Sequence, residues 1–107
     1  MLERAKILIV EDNVTNRLLL RKIITNKYEI LEATNGQEAL DFLMVKNHGI
    51  AAVLLDLVMP VMDGYTFLQV VRAKRELAKL PIIVLAASED NKTEVDVLKM
   101  GATEFLR

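Results

Sequence analysis

Cysteine is absent from the sequence, which excludes a disulfide scaffold, a thiolate metal site and a cysteine nucleophile. Tryptophan is absent as well, so indole fluorescence offers no signal for metal binding. Histidine occurs once, as His48 in the polar stretch Lys46, Asn47, His48, Gly49. With no second histidine and no cysteine beside it, a metal or catalytic role for His48 is not expected. The 4 glycines form no glycine-rich phosphate loop. Neither sign of charge dominates: 14 Lys and Arg stand against 15 Asp and Glu, a net charge of -1. Such a chain has neither the electrostatic footprint of a nucleic-acid binder nor the basic excess of a membrane-surface protein.

Long hydrophobic runs are also missing. The longest, residues 50–55 and 82–87, hold six residues each, far short of the roughly 18–20 of a membrane helix. Near the start, Glu3, Arg4 and Lys6 precede only four apolar residues, too few for the apolar core of a signal peptide. The chain reads as soluble and cytoplasmic. Hydrophobic residues still make up 52% of it and charged residues 27%. That is enough apolar material for a core, and disorder is not expected. At 107 residues the chain fits one domain, residues 1–107.

Short apolar runs alternate with helical patterns. Residues 7–10, 28–31, 51–55 and 82–85 read as strands, with a fifth beginning at Phe105 and Leu106. Continuous apolar runs of this length suit strands buried on both faces of a parallel sheet. Helices are expected at 14–26, 37–45, 64–77 and 90–100. Asn13 is a candidate N-cap for the first, with Leu19, Leu20, Ile23 and Ile24 on its apolar face. The second follows the turn pair Asn35 and Gly36 and turns Ala39, Leu40, Leu43 and Met44 inward. The third buries Phe67, Val70 and Val71, and the fourth Val95 and Leu98, with Val97 as an additional candidate. Gly101 sits where a left-handed helix C-cap would be.

This alternation, with right-handed crossovers, implies an α/β doubly wound five-stranded parallel sheet in the flavodoxin-like order 2-1-3-4-5. Strands 1 and 3 then lie side by side, with the chain leaving them in opposite directions. Ligands bind such sheets outside the carboxyl ends of the strands at that switch point. Glu11 and Asp12 follow the first strand, and Asp56 follows the third. A lone acidic residue at a strand end is often only a solvated loop group. Three of them at one crevice repel one another, and a divalent cation relieves the repulsion. Mg²⁺ suits such a site, because it takes hard oxygen ligands and needs only one or two carboxylates besides water and phosphate oxygens.

With these residues in view, the chain resembles the receiver domain of two-component response regulators. The resemblance rests on residues 7–13 (ILIVEDN), 35–40 (NGQEAL), 54–64 (LLDLVMPVMDG), 80–87 (LPIIVLAA) and 101–106 (GATEFL), and it runs through the whole chain. It implies that Asp56 is a phosphoacceptor, taking a phosphoryl group from a phosphohistidine. It implies Mg²⁺ held by Asp12, Asp56 and the backbone carbonyl of Val58, with Glu11 acting largely through a bound water. Met59, Pro60, Asp63 and Gly64 would shape the loop that presents Asp56. The implied partners are a histidine kinase or phosphotransfer protein, a downstream effector domain, and a second copy of the chain as a homodimer. No direct nucleic-acid or membrane partner is implied. The chain would be a signalling domain that catalyses only its own phosphorylation and dephosphorylation.

Two departures from the family pattern bear on function. Ala86 stands where the family has a Thr or Ser whose hydroxyl binds the phosphoryl group. A hydrogen bond to a charged group contributes about 1.5–3 kcal/mol, so its loss weakens the coupling between phosphate and conformation. Ser88 lies two residues on, in the expected loop. Further along, the sequence ends at Arg107, before the family's Lys-Pro pair and last helix. The domain would be C-terminally incomplete, with one sheet face uncovered beside the first helix. Phe105 matches an aromatic switch position of the family; a plain core aromatic is the alternative. Val58 and Ser88 match positions that tune the lifetime of the acyl phosphate. Two other functions compete: a degenerate receiver acting as a phosphorylation-independent interaction module, and an enzyme acting on small phosphate esters. The second lacks a nucleophile and base constellation of its own.

Overall fold

The computed structural model of the chain describes residues 4–24, 27–57, 61–85 and 91–106. Its elements are β1 (Lys6–Val10), α1 (Val14–Ile24), β2 (Glu29–Ala33), α2 (Gly36–Leu43), β3 (Ile50–Asp56), α3 (Gly64–Ala73), β4 (Ile82–Leu85), α4 (Asn91–Lys99) and β5 (Glu104–Leu106). A 3-10 turn, Arg75–Leu77, follows α3. All strand pairs are parallel and the sheet order is β2-β1-β3-β4-β5. The expected doubly wound sheet is therefore present, and no helix follows β5 among the described residues.

Several boundaries differ from the sequence reading. Lys6 pairs with Glu29 and Val10 with Ala33, so β2 starts one residue later and ends two residues later than its apolar run suggests. Asp56 is the last residue of β3 rather than the first after it, because it still pairs with Leu85. The third helix stops at Ala73, where Lys74 turns extended (ψ 124°) before the 3-10 turn.

One core fills the space between the sheet and α2, α3 and α4. Phe67, Leu68 and Val71 of α3 and Leu43 and Ala39 of α2 pack there against Leu8, Val10, Val53, Leu55 and Val84. In α4 the inward residue is Val97, fully buried, while Val95 and Leu98 are 47% and 40% exposed. The apolar periodicity named the wrong principal pair, since in a nine-residue helix three valine and leucine positions spread over more than one face. Gly101 does adopt a positive φ of 111° after α4. Ala102 then donates its N–H back to Val97 O at 3.0 Å, ending the helix as the glycine predicts.

The opposite sheet face is covered over β1, where Ile7 and Ile9 are buried, but carries little packing elsewhere. α1 lies there, yet none of its residues is buried. Leu19 and Ile23, expected on an inward face, are exposed, as are Val14, Leu18 and, on β5, Leu106. Along β4 buried and half-buried residues alternate, Ile82 and Val84 facing the core while Ile83 and Leu85 face the open side. Exposed apolar side chains thus lie along the first helix, while Ile7 and Ile9 on the same sheet face are buried.

Candidate functional site

The β1–β3 register builds the site. Val10 lies opposite Leu55, so the residues that follow them, Glu11 and Asp56, emerge together at the carboxyl edge of the sheet. Asp12 comes from the same crevice. One carboxylate oxygen from each of Glu11, Asp12 and Asp56 can be chosen so that all lie within 4.8 Å of one another. The three acidic residues singled out in the sequence thus converge, as the topology requires.

Their surroundings differ. Asp12 is exposed and Asp56 half-buried. Glu11 is the only buried charged side chain among the described residues, at 5% exposure. Its N–H extends the β1–β2 ladder by one rung, donating to Ala33 O at 3.0 Å. Burial, then a hydrogen bond with Asp56, push the Glu11 carboxyl up from 4.5 to about 7, and the charges of Asp56 and Asp12 add to this. Asn16 works the other way, its Nδ2–H donating to Glu11 Oε1 at 2.8 Å. A cluster of hard oxygen donors that holds a proton in place of a charge is a fit for a divalent cation, which would relieve the same repulsion.

The β3–α3 loop is held against the site by two glycines. Gly64 N–H donates to Leu57 O at 2.8 Å. A Cβ on Gly64 would lie 2.6 Å from Leu57 Cα and 2.7 Å from Asp56 O, so only glycine lets the start of α3 approach this closely. Asp63 caps the helix, its Oδ1 accepting from Thr66 N at 2.9 Å. On the other side of the loop, Gly36 N–H donates to Met62 O at 2.9 Å. Val61 has a φ of 68°, a strained conformation for a β-branched residue, within this same loop. Val58, Met59, Pro60, Ala86, Ser88 and Arg107 lie outside the described residues.

Phe105 is buried at 8% exposure in the main core, opposite Val84 in the sheet. His48 sits at the far end of β3 and accepts a hydrogen bond at Nδ1 from Ile50 N at 2.8 Å. That bond lies at the start of the strand.

Sequence reading missed Asn16 and Arg17. Arg17 Nη1 donates to the backbone carbonyls of Glu11 (2.9 Å) and Asp12 (3.2 Å), and Arg17 Nε pairs with Glu32 at 3.3 Å. The available signal was position: both lie in the first turns of a helix that starts directly after the acidic pair.

Comparison with known proteins accords with this geometry. The profile of the response regulator receiver domain matches residues 7–107. The sensor histidine kinase TmoS of Ectopseudomonas mendocina is 35% identical over 104 residues, 97% of this chain and 10% of that protein. The transcriptional regulatory protein SrrA of Staphylococcus aureus is 39% identical over 102 residues, 94% of this chain and 40% of that protein. The chain therefore spans less than half the length of these relatives. Among solved structures, a putative response regulator from Chloroflexus aurantiacus superposes with a TM-score of 0.90 at 30% identity, covering 97% of this chain and 84% of the other. Taken with the 2-1-3-4-5 sheet and the acidic crevice at its switch point, the match over residues 7–107 shows that this chain belongs to the response regulator receiver domain family.

Proposed function

We propose that this domain receives a phosphoryl group on Asp56 and passes the signal on as a shift between conformations. The observation that carries the reading is the convergence of Glu11, Asp12 and Asp56 within 4.8 Å at the switch point of the sheet. An Asp56 carboxylate oxygen attacks the phosphorus of a phosphohistidine on a partner protein. The new P–O bond forms as the P–N bond breaks, and the imidazole leaves with the bonding pair. The product is an acyl phosphate on the domain itself. Glu11, Asp12 and Asp56 would hold Mg²⁺; the Val58 carbonyl joins them on the resemblance alone. When bound, the cation neutralises charge on the transferring phosphoryl oxygens. The loop anchored by Asp63 and Gly64 fixes the backbone on which Asp56 stands.

The chemistry is self-directed, so the domain is a signalling element with a histidine kinase or phosphotransfer protein as donor. A cytoplasmic setting, a downstream effector domain and a homodimer go with this reading. One sequence feature favours a second reading, an interaction module that works without phosphorylation: Ala86 in place of the family's hydroxyl residue. The two are separated by incubating the chain with Mg²⁺ and a small phosphodonor and weighing it. A gain of one phosphoryl group in the parent and none in Asp56→Ala supports phosphoacceptance. No gain in either supports the interaction module.

A further inference from the structure

Glu11 presents a mechanical problem. Its side chain is flexible, and the hydrogen bond it makes with Asp56 needs a proton that a bound cation would displace, leaving its buried carboxylate beside two like charges. Something must hold it there. The backbone is held by Arg17, whose guanidinium bridges the carbonyl oxygens of Glu11 and Asp12. Arg17 is itself braced by Glu32, which Arg21 also contacts at 2.9 Å. None of these contacts reaches the Glu11 carboxylate.

Asn16 does. Its Nδ2–H donates to Glu11 Oε1 at 2.8 Å. Asn16 stands on the first turn of α1, where its own N–H donates to the Asn13 side chain at 2.9 Å and Arg17 N–H donates to Asn13 O at 3.0 Å. The donor is therefore fixed to a capped helix end. An amide is also the right kind of donor, because it is uncharged and orients a carboxylate without opposing a cation.

We propose that Asn16 is a positioning residue for the cation pocket, holding the Glu11 carboxylate in the orientation it shares with Asp12 and Asp56. This rests on the reading above that these three carboxylates take Mg²⁺. Outer partners of metal-binding carboxylates typically matter by 10–100-fold in affinity. The Asn16→Ala variant places a better helix former at an exposed position and should fold normally.

The test is Mg²⁺ affinity, read by NMR titration into the millimolar range, in the parent, Asn16→Ala, Glu11→Gln and the double variant. Glu11→Gln keeps the carboxylates of Asp12 and Asp56, so it still binds the ion weakly. Asn16→Ala should weaken binding about tenfold in the parent background and less than about twofold in the Glu11→Gln background, because the residue acts through Glu11. An equal loss in both backgrounds, or no loss in the parent background, overturns the proposal while leaving the Mg²⁺ reading intact. A parent that binds no Mg²⁺ overturns the metal reading and this inference with it.

Discussion

Glu11 and Asp56 share a hydrogen bond across the parallel β1–β3 pair, at the point where the chain leaves the two strands in opposite directions. Burial, together with the bond, raises the Glu11 carboxyl to about 7, whereas the unfolded carboxyl releases its proton near 4.5. Between those values the folded chain binds more protons than the unfolded one. Stability of the metal-free protein is therefore full below about pH 4.5 and declines as pH rises through about 7. The decline should be on the order of 1–2 kcal/mol, after allowance for solvent screening in an open crevice. Thermal melts from pH 5 to 8 with chelator present measure it. Glu11→Gln should flatten the profile, and saturating Mg²⁺ should reverse its slope, since a cation favours the deprotonated pair. An unchanged slope in Glu11→Gln would assign the effect elsewhere.

Gly64 should not tolerate a side chain. A methyl group there meets Leu57 Cα and Asp56 O at 2.6 and 2.7 Å, and both are backbone atoms that cannot swing aside. Gly64→Ala should cost about 1–3 kcal/mol in urea unfolding and move the amide signals of Asp56 and Leu57. A variant with parent-like stability would show that α3 can retreat from the site without penalty.

Arg72 ties three segments together. Its guanidinium donates to Gly101 O at 2.8 Å, Leu77 O at 3.0 Å and Ala78 O at 3.3 Å, linking α3, the 3-10 turn and the approach to β5. Arg72→Ala should destabilise by about 2 kcal/mol. Arg72→Lys should recover little of that, because a single ammonium cannot reproduce the planar fork. Denaturant midpoints for the two variants decide the point, and full recovery by lysine would reduce the contact to simple charge.

The inward face of α4 gives a paired test. Val97→Ala removes fully buried methyl groups and should cost about 2 kcal/mol. Val95→Ala, at 47% exposure, should stay within about 0.5 kcal/mol. Chemical denaturation of both variants would expose a different helix rotation if the order were reversed.

Much of this molecule was legible before any coordinates. Buried parallel strands read as unbroken apolar runs, so β1, β3 and β4 were evident in outline, and their alternation with helices implied the sheet order. Asn35 and Gly36, and Asp63 and Gly64, signalled the starts of α2 and α3 because capping and close approach impose residue types locally. Glu11, Asp12 and Asp56 were identifiable for the same reason: each sits at a strand end whose position the local pattern reveals.

Local pattern could not determine what depends on contact between distant segments. The strand pairing carried β2 on to Ala33, and the rotation of α4 selected Val97 over Val95. Burial of Glu11, its hydrogen bond with Asp56 and its tether to Asn16 arise only when β1, β3 and α1 meet. Residue type and spacing constrain a chain over one or two turns. Which side chain loses water, and which partner it finds, is decided by the packing of the whole sheet.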